Sequence, residues 1–187
     1  MSRFVDRGAI AAAYVGMGMA VTIAFSFLLI IPIEGLIGLF ALPSGLLIGY
    51  YANQRSNRWM GPWRRMLSNG TFAGAVTGLT FVVLLLVIKA LFFYADDGYR
   101  DPGLGGRLTC SSGADCVYQR YLDADRGGNL EAAGVTDVAS FTTLYWDEQL
   151  GGARTVLALT TLGGLGGAAL YGAFRPKPAR PETIAAR

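Results

Sequence analysis

Four stretches of this chain carry almost no charge, and each is long enough to cross a lipid bilayer. Residues 8–31, 35–52 and 155–174 contain no Asp, Glu, Lys or Arg, and residues 70–94 contain one, Lys89. At about 1.5 Å of rise per helical residue the four runs measure about 36, 27, 37 and 30 Å, against a hydrocarbon core of about 30 Å. Backbone polar groups must pair internally in lipid, so such segments are helical. The expected fold is an all-α membrane protein of four transmembrane helices, with a partly helical outer loop between the third and fourth. The first run is too long for a signal-peptide core and is followed by no small-residue cleavage site, so it reads as an uncleaved first helix.

Charge partition sets the expected orientation. Arg3 and Arg7 precede the first run, Arg55, Arg58, Arg64 and Arg65 lie between the second and third, and Arg175, Lys177, Arg180 and Arg187 follow the fourth. Basic residues in short segments stay in the cytoplasm. Both chain ends are therefore expected inside, and residues 95–153, with acids from Asp96 to Glu148, outside. A net charge of +3 conceals this two-ended layout and is no sign of nucleic-acid binding. The chain then divides into 1–94 (tail and three helices), 95–153 (outer loop) and 154–187 (fourth helix and basic tail). Its alanine, glycine and arginine richness suggests a bacterial plasma (inner) membrane.

The segment around Arg58, Trp59, Trp63, Arg64 and Arg65 fits a membrane interface, with rings in lipid and arginines at anionic headgroups. It fits an ordinary basic loop as well. Phe92, Phe93, Tyr94, Tyr145 and Trp146 are expected near the outer interface as an aromatic belt.

Helices in lipid associate through small residues that let backbones approach. Gly45 and Gly49, then Gly70, Gly74 and Gly78, then Gly163 and Gly167 provide such faces. They suit either the internal bundle or an interface with other membrane subunits or a second copy. Pro43 removes a backbone donor inside the second helix.

The two cysteines, Cys110 and Cys116, are expected to form a structural disulfide outside the membrane. A ring this short contributes about 2–3 kcal/mol at most. Within the loop, residues 115–124 and 136–149 read as short helices, the second opened by Thr136 as N-cap and Asp137 at the positive helix end, with Gly151 and Gly152 separating it from the fourth span. The run from Asp123 to Glu131 loosely echoes a calcium loop, but position twelve is Gly134 where a bidentate Glu is required, so it reads as a solvated turn.

Histidine is absent. No imidazole is available as base or ligand, no phosphate-binding loop is present, and no carboxylates pair in a catalytic pattern. The expected function is a non-catalytic membrane subunit or scaffold, without a cofactor, that packs against partner membrane proteins or itself through its Gly-rich helix faces and presents its outer loop for docking; the lipid bilayer is its other partner. The alternative is a small homo-oligomeric channel or transporter with a mouth near Lys89 and Glu34. Ionisable residues at membrane depth are functional candidates. Lys89 could pair with Glu34, Asp96 or Asp97, or extend its stem to the interface. Only hydroxyls, at Thr22, Ser26, Thr77, Thr80, Thr160 and Thr161, are offered deeper in the bilayer, which weakens a stand-alone transporter.

Overall fold

A computed structural model describes residues 4–26, 35–57, 61–95, 100–101, 106–107, 110 and 112–174. Six helices account for nearly all of them: α1 (Arg7–Phe25), α2 (Gly35–Arg55), α3 (Trp63–Tyr94), α4 (Ala114–Asp123), α5 (Gly127–Ala132) and α6 (Val138–Phe174). Two two-residue strands, β1 (Arg100–Asp101) and β2 (Gly106–Arg107), pair antiparallel in the glycine-rich segment, where the sequence predicts no pairing.

Among the described residues, three helices are long and apolar enough to cross a membrane: α1, α3 and α6. The sequence predicts four. The fourth predicted helix, α2, forms as a 21-residue helix with Pro43 inside it and is not among the three; its uncharged stretch, 35–52, is the shortest of the four. The first predicted helix, 8–31, is described as far as Phe25, and residues 27–34 lie outside the described set.

Two of the predicted boundaries move. α3 begins at Trp63 rather than near residue 70, so Trp63, Arg64 and Arg65 form its first turn. α6 is one uninterrupted helix of 37 residues, where two helices separated by Gly151 and Gly152 are predicted. At 1.5 Å per residue it runs about 56 Å, so about half of it extends past a 30 Å hydrocarbon core. The glycine pair does not break it because helix on both sides is anchored: Phe141 packs in one core and Val156 in another. Nothing lies within 4 Å of a β-carbon built on Gly151 or Gly152. Alanine at either site should therefore stabilise the protein by about 0.5–1 kcal/mol, since a helical glycine loses that much to backbone entropy. Denaturant titration in detergent measures it, and a loss of stability at both sites would show that the helix must flex there.

α6 packs along α2 and α3, and α1 lies against α3 and α2. The core divides into three parts. One, around Phe81, Leu85, Ile88 and Ile37, fills the bundle toward the end of α3 that carries Phe93. Another, around Ala9, Ala12, Ile48, Ala52 and Ala73, joins α1, α2 and α3. The third, around Phe93, Leu130, Val135 and Phe141, belongs to a helical cap built on the protruding parts of α3 and α6.

Candidate functional site

The cap is held from three directions. The Cys110–Cys116 disulfide ties the chain preceding α4 to its first turn, with Cα atoms 5.5 Å apart. The C-termini of α4 and α5 close with the same hydrogen-bond pattern. At α5, Val135 N–H donates to Leu130 O and Gly134 N–H to Glu131 O, both 2.9 Å. Gly134 has φ +79°, the left-handed conformation this motif requires. At α4, Arg126 N–H donates to Tyr121 O and Asp125 N–H to Leu122 O, both 3.0 Å, with Asp125 at φ +58°. The Arg126 guanidinium then lies 5.5 Å above the Tyr121 ring. The third tie is aromatic. Phe93 meets Tyr145 at 4.6 Å, Tyr118 and Tyr121 meet Phe141 at 5.2 and 5.0 Å, and Trp146 Nε1–H donates to Tyr94 Oη at 3.1 Å. Phe93, Tyr94, Tyr145 and Trp146 pack on one another, because α6 continues past Gly151 and Gly152 and brings Tyr145 and Trp146 against the end of α3. α5, which no sequence pattern announces, occupies the segment expected to be a solvated turn and buries Leu130.

The start of α6 is capped by Asp137, not by Thr136. The Asp137 carboxylate accepts from Ser140 N–H at 2.8 Å and Ser140 Oγ–H at 2.7 Å. The backbone N–H and then the hydroxyl of Ser140 hold this carboxyl below its ordinary value of 3.8. A lowered folded pKa means the cap contributes fully above the unfolded value and is lost as pH falls through the folded one. The protection of the Ser140 amide against exchange, relative to its intrinsic rate at each pH, should fall on acidification below the ordinary carboxyl range. In Asp137→Asn, which accepts the same bond without titrating, that step should vanish.

The bundle itself carries two further sites. The predicted packing glycines converge on one seam. Gly45 of α2 faces Thr160 and Gly163 of α6, Gly49 faces Gly164, Gly70 and Gly74 of α3 face Gly164, Gly78 faces Leu157 and Thr160, and Gly167 faces Leu46 and Tyr50. Gly164 lies where all three helices meet. At the end of the bundle where α1 starts lies a polar network that the sequence does not predict. Asn69 of α3 donates to Asp6 Oδ2 at 2.7 Å and accepts from Asp6 N–H at 3.0 Å. Asn53 of α2 donates to Met66 O at 2.9 Å and Gly49 O at 3.2 Å, and its Oδ1 lies 3.4 Å from Asn69 Nδ2. Both asparagines are 0% exposed. An Asn residue in each of two apolar helices, with an Asp ahead of the first, was the only available signal.

No family model, curated protein or solved structure matches this chain. Functional assignment therefore rests on its own residues. Lys89 is buried on α3, and Glu34, Asp96 and Asp97, its expected partners, lie outside the described residues, as do Arg58 and Trp59. Trp63 is partly exposed and rests one edge of its ring on Gly172 at the far end of α6, where an added β-carbon would lie 2.6 Å from it. The hydroxyls of Thr22, Thr77, Thr80 and Thr160 each donate to the carbonyl four residues earlier in their own helix. That pairing does not link them into a relay between helices.

Proposed function

We propose that this chain is a non-catalytic, four-pass subunit of a bacterial plasma membrane complex, which holds its disulfide-closed cap outside the membrane as a docking surface for a partner protein. α2 lies packed between the three apolar helices and crosses with them. Arg7, Arg55, Arg64 and Arg65 gather at the end where Asp6 meets Asn69, and the disulfide belongs to the opposite end. Cytoplasmic retention of arginine and persistence of disulfides outside are independent effects, and both favour the same orientation. The proposal rests chiefly on the glycine seam. Its small-residue faces are occupied by the chain's own helices, so a partner is better served by the cap, whose exposed Leu122 and Asn129 stand clear of the bundle.

The channel alternative receives less support. α2, α3 and α6 touch backbone to backbone, with a β-carbon on Gly163 only 3.0 Å from the Gly45 Cα, so a conducting path would have to run between copies. The test is native mass spectrometry after mild detergent extraction, with a photo-reactive residue placed at Asn129 or at Leu79 on the exposed face of α3. The expected result is a heteromeric complex crosslinked through position 129 and not through 79. A symmetric homo-oligomer crosslinked only to itself would instead support the channel and sink the scaffold.

A further inference from the structure

A groove of about 790 Å³ runs down the first part of α3, lined by Phe4, Arg64, Arg65, Ser68, Phe72 and Ala75 among others. Its volume falls in the range of roughly 300–1,000 Å³ typical of ligand sites. The cleft on the cap between Tyr121 and Glu148 is smaller, about 220 Å³.

The lining has an order. At 100° per residue, Arg64, Ser68, Thr71, Phe72 and Ala75 fall on one face of the helix. From Arg64 to Ala75 is 75 − 64 = 11 residues, which at 1.5 Å each is about 16 Å, or about half a bilayer. Along that distance the lining changes from two guanidinium groups, through the hydroxyls of Ser68 and Thr71 with Leu67 beside them, to Phe72 and Ala75. Exposed Phe4, from the segment before α1, forms the opposite wall. A phospholipid has the same gradient: phosphate, then ester oxygens, then hydrocarbon. Guanidinium groups bind phosphate through paired N–H donors, and hydroxyls suit ester oxygens.

We infer that this groove is a specific seat for one anionic phospholipid of the inner leaflet, its phosphate held by Arg64 and Arg65 and one acyl chain lying along Phe72 and Ala75. The inference rests on the proposed orientation, in which this end of α3 meets the cytoplasmic leaflet. It requires a phosphate group and an acyl chain in one molecule, which distinguishes it from general attraction of basic residues to a charged surface.

The test is delipidated protein in neutral detergent, titrated with dioleoyl phosphatidylglycerol, dioleoyl phosphatidylcholine or soluble glycerol 3-phosphate and read by native mass spectrometry. One phosphatidylglycerol should bind in preference to phosphatidylcholine, and glycerol 3-phosphate should not displace it. The pair Arg64→Gln and Arg65→Gln should weaken it by about thirtyfold, as expected when two cations leave a headgroup. Arg55→Gln, at the same end but outside the groove, should leave it within about twofold by the same measure. Ala75→Trp, which fills the apolar part and keeps both arginines, should weaken it too. Equal binding by the arginine pair variant overturns the site, and so does equal binding by Ala75→Trp or displacement by glycerol 3-phosphate. A chain that stays dissolved without detergent would overturn the membrane reading itself, a separate and separable result.

Discussion

Gly164→Ala should destabilise the bundle by about 3 kcal/mol or more, the upper end of what overpacking a well-filled core costs. A single methyl group at this position would lie 2.9 Å from the Gly74 Cα and 3.2 Å from the Gly70 carbonyl carbon, and against the Gly70 carbonyl oxygen. From the other side, a methyl on Gly49 would lie 2.7 Å from the Gly164 Cα. The neighbours of the Gly164 methyl are backbone atoms of α3, fixed by its own helical hydrogen bonds, so no side chain can rotate away. Relief requires α6 to move off α3, which disturbs its close contacts with α2, where Gly45 meets Gly163 and Gly167 meets the Leu46 backbone. Alanine is otherwise the better helix former, so Gly18→Ala and Gly38→Ala, whose β-carbons would meet nothing within 4 Å, should be neutral or slightly stabilising. Unfolding titrations of the three variants in detergent give the comparison. Equal stability of Gly164→Ala and Gly18→Ala would mean that the seam is not closed.

Asn69→Leu should cost about 2–4 kcal/mol, because it removes three hydrogen bonds, and a buried group left without its bond costs roughly 1–3 kcal/mol. The partners are the buried Asn53 Oδ1 and the part-buried Asp6 N–H and Asp6 Oδ2. Asn53→Leu should cost less, since the Gly49 and Met66 carbonyls it serves also belong to helices with their own ladders. The double variant should cost clearly less than the sum of the two, as the Asn53–Asn69 pair is then removed together and replaced by apolar groups of similar volume. Strict additivity in that cycle would rule out coupling between the two asparagines. The network also pins the segment ahead of α1 to α3, so exchange of the Asp6 amide should rise sharply in Asn69→Leu and little in Asn53→Leu.

The helical cap shows why local pattern misplaced an element boundary. Gly151 and Gly152 are a fair signal for a break, since glycine weakens a helix by about 1 kcal/mol per residue. Here the penalty is small beside the aromatic packing of Phe141, Tyr145 and Trp146 above it and the seam below, so the helix runs through. The same absence of local signal hid α5: a stretch of Gly, Asn and Glu reads as loop until Leu130 finds Phe93 and Val135.

Long uncharged runs, arginine placement and the positions of small residues are properties of the linear chain, and they determined that this protein is helical, apolar and two-ended in charge. A side chain that water or lipid must accept carries its preference wherever it folds. Pairings that depend on two distant residues arriving together carry no such mark. Only the tertiary structure decided that Gly164 is the point where three backbones meet, that Asn53 and Asn69 bury their amides against each other and Asp6, and that a row of α3 residues graded from arginine to alanine lines a groove instead of a packed interface.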